Sequence, residues 1–207
     1  MGATAEENSM GPHWFHHHPV MQGIWIAAYA LWMVPEAILS SRLRSAADAQ
    51  KADRVSKLTV ILSFNAGICA GFIASFASPQ FAMTAHWELL FALGIAIWLG
   101  GQVFRLYSIR VLGQFFTYDV AISKGQHVVE AGPYRWLRHP SYLGGLIALL
   151  GFGMTLTNWL AVILPVVCGL LGYAYRIPLE ERALVQGLGE PYREYMKRTW
   201  RLVPYVF

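Results

Sequence analysis

Apolar residues in this chain gather into blocks too long and too unbroken for the core of a soluble domain. Three blocks run from about Val20 to Ser40, Leu58 to Ser78 and His86 to Leu106. Each is close to the roughly 20 residues that a helix needs to cross a bilayer. A fourth, Ser141 to Tyr175, is too long for one crossing and short for two, and Thr157-Asn158 interrupts it. The pattern predicts a tight helical hairpin with short or tilted arms, its packing eased by Gly144, Gly145, Gly151, Gly153, Gly169 and Gly172. One kinked span with a re-entrant piece is the alternative. Beyond it, Leu184, Leu188, Tyr192 and Tyr195 recur at helical spacing, broken by Gly187, Gly189 and Pro191. That pattern predicts a helix, a turn and a second short helix lying against the membrane face.

Composition agrees with lipid as the solvent. Of 207 residues, 56% are hydrophobic and 14% charged, where a soluble domain carries roughly 25% charged residues. Charge placement then orients the chain. All sixteen Lys and Arg fall between blocks one and two, between blocks three and four, or after block four. With five spans every one lands on one face, and by the positive-inside rule that face is cytoplasmic. The expected fold is an all-α integral membrane protein with about five transmembrane helices, the last two a hairpin, and a cytoplasmic C-terminal helical cap. Its expected divisions are a mobile segment over 1–19, three transmembrane helices over 20–106 and a region over 107–207 that holds the connecting loop, the hairpin and the cap.

The catalogue of soluble cofactor motifs is missing: no Gly-rich dinucleotide loop, phosphate loop, nucleophilic serine elbow or metal-spaced Cys/His set. Cys69 and Cys168 lie in apolar blocks, and His13, His16, His17 and His18 cluster without other groups to fix a metal's geometry. Chemistry concentrates instead at the two ends of the hairpin, where Arg138-His139-Pro140-Ser141-Tyr142 precedes it and Arg176 to Glu181 follows it. Pro140 suits the first helical position, with His139 as the cap and the amides of that turn available to an anionic group. Arg176 and Glu180 are four apart and share a helix face. Glu181 is on another face, so one of the two carboxylates is expected to face the cavity and the other water. Glu36, beside Pro35 near a span end, reads as interfacial.

The string Gly125 to Gly144 (GQHVVEAGPYRWLRHPSYLG), the spacer, RIPLEE and then Leu188 to Tyr195 (LGEPYREY) resemble the isoprenylcysteine carboxyl methyltransferase family, and also the related phospholipid N-methyltransferases. The likeness covers roughly residues 105–207, in order; residues 1–100 share only their apolar spans. It implies a multi-pass membrane methyltransferase that uses S-adenosylmethionine and releases S-adenosylhomocysteine. It also implies a cofactor pocket lined by Gln126, His127, Val128, Val129, Tyr134, His139, Pro140, Ser141, Tyr142, Glu180 and Glu181. Arg176 would meet a substrate carboxylate, with Arg198 or Arg201 assisting. Family members often carry His where Gln126 stands; here His127 comes one place later, which leaves backbone contacts as the shared feature. The expected partners are membrane lipid and a lipophilic substrate entering from the bilayer, with no nucleic acid and no obligate protein partner. Two other activities fit parts of the pattern. One is N- or S-methylation of a phospholipid or small molecule. The other is an NADPH-dependent, sterol-reductase-like oxidoreductase, with Arg193, Lys197, Arg198 and Arg201 on the extra phosphate.

Overall fold

The computed structural model describes residues 12, 15, 18–42, 51–117 and 125–203. Six α-helices carry the described chain: α1 (Pro19–Arg42), α2 (Lys51–Ala77), α3 (Trp87–Leu112), α4 (Pro140–Thr155), α5 (Trp159–Leu188) and α6 (Glu190–Lys197). No β-strand occurs among the described residues, only two isolated bridges. Most of the predicted mobile segment, with His13, His16 and His17, lies outside them. Within α1, α2, α3 with its following turn, and α5 are four stretches long and apolar enough to cross a membrane. At 16 residues α4 is shorter. It rises about 24 Å at 1.5 Å per residue, against a hydrocarbon core of roughly 30 Å. The expected five spans are thus four of full length and one short apolar helix.

The hairpin turn falls on Thr157-Asn158. Thr157 takes a left-handed φ of 48°, and the Asn158 side chain accepts from the backbone N–H groups of Leu160 and Ala161, capping α5. Asn158 also donates to the carbonyl of Ser78 at 3.0 Å, and Met83 N–H donates to Thr157 at 2.7 Å. One buried side chain therefore ties both far-side turns together. Asn158→Ala is expected to lower the unfolding free energy by about 1–3 kcal/mol, the sum of a lost cap and an orphaned carbonyl; thermal melting in detergent measures it.

The packing partners of the hairpin glycines match the expected arm-to-arm contact for Gly145, Gly153 and Gly169 and differ from it for the other three. A Cβ on Gly144 would strike the backbone of Arg105, and one on Gly151 the backbone of Trp98, both on α3. The α4 helix is pressed into α3 along a face without side chains, while α5 lies mainly on α2, where Gly172 meets Ser63. Only Gly153 meets the opposite arm's backbone, at Ala161 and Val162. In lipid this close van der Waals fit supplies the association energy that water expulsion provides elsewhere. The α1 helix joins through a ring cluster, Trp25, Tyr29 and Trp32 against Trp98 and Phe152. Backbone contact between α1 and α2 is slight, which leaves a slit between them.

Candidate active site

At the end of the bundle opposite the hairpin turn, Pro140 opens α4 and His139 caps it through its backbone carbonyl. The capping residue is held from behind: Arg138 and His139 donate their N–H groups to the carbonyls of Trp200 and Arg201. The α6 helix begins after Gly189, whose φ of 68° favours glycine, and its tail returns over this loop. Tyr195 donates its hydroxyl to the carbonyl of Tyr134 at 2.7 Å. Burial pushes the phenols of Tyr134, Tyr192 and Tyr195 upward, so all three stay neutral donors at neutral pH.

The first turn of α4 faces the last turns of α5. Tyr142 donates to Glu180 Oε2 at 2.5 Å, and Arg176 Nε donates to the Tyr142 oxygen at 3.4 Å. Arg176 and Glu180 pair at 4.0 Å along their shared face. Arg176 is buried and also donates to Ser56 Oγ on α2 at 2.7 Å. The Tyr142 ring is stacked between His139, at 5.4 Å, and Tyr173, at 4.3 Å. The two ends of the hairpin therefore meet in one polar chamber.

That chamber is part of a cavity of about 530 Å³, within the roughly 300–1,000 Å³ of small-molecule sites. One limb is apolar and runs between α1 and α2, past Trp32, Val60, Phe64 and Ile68. The other lies under the cap. Gln126, His127, Val128, Val129, Tyr134, His139, Ser141, Tyr142 and Glu180 all line it, and Arg176, bonded to both Tyr142 and Ser56, is also on the wall. Pro140 is buried behind this lining and fixes only the backbone.

Three residues of the expected site stand elsewhere. Glu181 is 4% exposed rather than turned to water. It accepts from Arg138 Nε at 2.7 Å and from Arg201 Nη2 at 2.9 Å. His139 Nε2 lies 3.5 Å from it, long for a hydrogen bond. A lone buried carboxylate would be costly; two guanidinium partners stabilise it there. Arg138 also donates to the carbonyls of Met196 and Thr199, so this knot fastens the tail to the hairpin. Arg201 belongs to the knot and Arg198 points outward onto Glu130; neither lines the cavity. The remaining tail cations offered for a phosphate, Arg193 and Lys197, form exposed i,i+3 pairs with Glu190 and Glu194.

The structure adds a wall that the sequence reading did not assign. Glu36 of α1 accepts from Arg105 of α3 through both oxygens, Nε–Oε1 at 2.6 Å and Nη2–Oε2 at 3.1 Å. Arg105 Nη1 donates to the carbonyl of Ser141 at 3.1 Å. Both charges line the cavity. A carboxylate and an arginine near span ends were the available signal, but nothing in the sequence joins positions 69 apart.

Comparison with known proteins accords with this geometry. The sequence profile of the isoprenylcysteine carboxyl methyltransferase (ICMT) family matches residues 93–186. Protein-S-isoprenylcysteine O-methyltransferase B of Arabidopsis thaliana is 35% identical over 123 residues, 58% of this chain and 62% of that protein. The enzyme of that name from Dictyostelium discoideum is 28% identical over 158 residues, 73% and 67% of the two chains. The chain thus spans about three fifths of the length of the plant relative. In three dimensions it is similar to a eukaryotic intramembrane Ras methyltransferase ICMT, with a TM-score of 0.65, 22% identity, and coverage of 90% of this chain and 67% of that one; at that identity the likeness is one of fold. A multi-pass membrane fold and a matching sequence thus coincide, and residues 93–186, which carry most of α3, the cap loop, α4 and most of α5, are similar to the isoprenylcysteine carboxyl methyltransferase family.

Proposed function

We propose that the protein is an S-adenosylmethionine-dependent membrane methyltransferase that esterifies the carboxylate of a lipophilic, prenylcysteine-like substrate. The observation that carries this reading is the continuity of the cavity: an apolar limb open between α1 and α2 joins a polar chamber under the cap. The relatives' names point to the same reaction.

The chamber suits the cofactor. Glu180 presents a carboxylate beside the stacked rings of Tyr142 and Tyr173, a setting for a cationic head. The 126–129 segment offers backbone donors and acceptors, and His139 Nε2 is buried with hydrogen-bonding capacity uncommitted among the described residues. Gln126, His127, Val128, Val129, Tyr134, His139, Ser141, Tyr142 and Glu180 would hold the group. When bound, S-adenosylmethionine supplies a methyl group already activated on a sulfonium.

The protein's own share is alignment and exclusion of water. A carboxylate is a nucleophile at neutral pH and needs no general base. Arg176 supplies a planar fork that orients it, and the apolar limb strips it of hydration. Holding both reactants in line supplies several kcal/mol of the barrier reduction. The face that carries the sixteen cations is cytoplasmic in this reading. The substrate then arrives sideways from the bilayer and the cofactor from the cytosol beneath α6. In a labelled-methyl assay with lipidated acids, amines and thiols, base-labile label is expected on the prenylcysteine acid. Label on an amine or thiol alone would reassign the acceptor, and tighter binding of NADPH than of S-adenosylhomocysteine would overturn the reading.

A further inference from the structure

Arg105 is one of three arginines on the cavity wall, with Arg138 and Arg176, and its two-nitrogen edge is already taken. Glu36 binds Nε and Nη2 together, in the side-by-side geometry that a free carboxylate adopts on an arginine. The third nitrogen, Nη1, is fixed to Ser141 in the first turn of α4, one residue before Tyr142. Arg105 is therefore aimed by the same turn that aims the chamber. Its carboxylate partner differs in how it is held. Glu36 sits on α1, which borders the slit, has little backbone contact with α2 and is anchored on α3 and α4 through the rings of Trp25 and Trp32. Glu181, by contrast, has two arginines and the returning tail around it.

A planar anion arriving along the apolar limb would meet Arg105 on the cavity wall, already paired with Glu36. It could gain the two-nitrogen edge only by replacing the carboxylate there. Building on the reaction proposed above, we infer that Glu36 is an internal stand-in for the substrate carboxylate: it occupies the Arg105 edge and surrenders it to the arriving acid, which Arg105 and Arg176 then hold together. Two benefits follow physically. The arginine is never left as an uncompensated charge beside lipid. A lipid without an anionic head has nothing with which to displace Glu36, so neutral lipids gain no hold at this position. Glu36 acts through Arg105 and is a positioning residue.

The test compares a farnesylcysteine acid with its primary amide, the same molecule without the charge. The acid is followed by KM in methyl transfer, the amide by its inhibition constant. With Glu36→Gln the competitor for Arg105 loses its charge. The KM of the acid is then expected to fall roughly tenfold relative to the amide constant, on the scale of one charge-assisted contact. Glu36→Asp keeps the charge but shortens the reach to the two nitrogens, and moves the ratio in the same direction by less. Equal shifts for acid and amide would reduce Glu36 to a structural tie, and a rise in the acid's KM alone would make it an aid to binding; either result overturns the inference. Failure of the unsubstituted protein to methylate the acid at all would instead strike the reaction on which the inference rests.

Discussion

Glu180→Gln is expected to lower methyl transfer about 100-fold or more, the scale seen when a single electrostatic group is removed from a water-excluded site. The folded protein should survive the change. Glu180 is the cavity-facing member of its pair, part exposed and bound to Tyr142 and Arg176 by side chains alone. Glutamine keeps the shape and can still accept from Tyr142. What disappears is the negative charge next to the two stacked tyrosines, and with it the attraction for a cationic head. The loss should therefore appear as weakened binding of the cofactor as well as slower turnover, while thermal melting stays close to that of the parent. Glu190→Gln, on an exposed surface pair, is the control and should be silent. Arg176→Lys separates charge from shape at the other half of the pair: the cation remains, the planar fork does not. A Glu180→Gln protein of full activity would remove this chamber from consideration as the reacting centre.

The second large effect concerns the fold alone. Gly151→Leu should give no recoverable folded protein, whereas Gly100→Leu on the adjoining helix should be silent. A Cβ at position 151 would lie 2.2 Å from the Trp98 nitrogen and 2.6 Å from its Cα, with the Gly94 carbonyl at 2.7 Å. All three are backbone atoms, so no rotamer change relieves the clash. The helices must part along their whole contact, and the cost exceeds the roughly 1–3 kcal/mol of ordinary overpacking. Gly100, about half a turn beyond Trp98, has open space around it, and leucine there adds only surface facing lipid. Detergent size-exclusion profiles and thermal melts of the two variants decide the matter. A monodisperse, cooperatively melting Gly151→Leu protein would mean that α3 and α4 are not packed as described.

How much of this was legible beforehand depends on the range of the interaction. The hairpin was readable because its determinants are local: Pro140 fixes a start, Asn158 a cap, and Gly189 with Pro191 the break before α6. The convergence of Tyr142 on Glu180 followed from a hairpin returning to its own side. The pairings that failed to show join distant helices. Ser56 reaches Arg176 across 120 positions and Glu36 reaches Arg105 across 69; apolar helices in lipid carry no strong polar stripe to say which face turns inward. The fate of Glu181 was misjudged for a related reason. Helical spacing separates it from Glu180 but does not reveal that Arg138 and the tail wait on its other side. Likewise the hairpin glycines announce a close neighbour without naming it, and for Gly144 and Gly151 the neighbour is α3.

The clasp of Arg138 by Glu181, Met196 and Thr199 sets an order of events during synthesis. Arg138 and His139 leave the ribosome before the carbonyls at 196–201 that will receive their hydrogen bonds. Until the last dozen described residues emerge, the translocon holds a nascent hairpin whose polar rim has charges but no lid. Quality control acting on an unfinished chain would find its clearest recognition mark there.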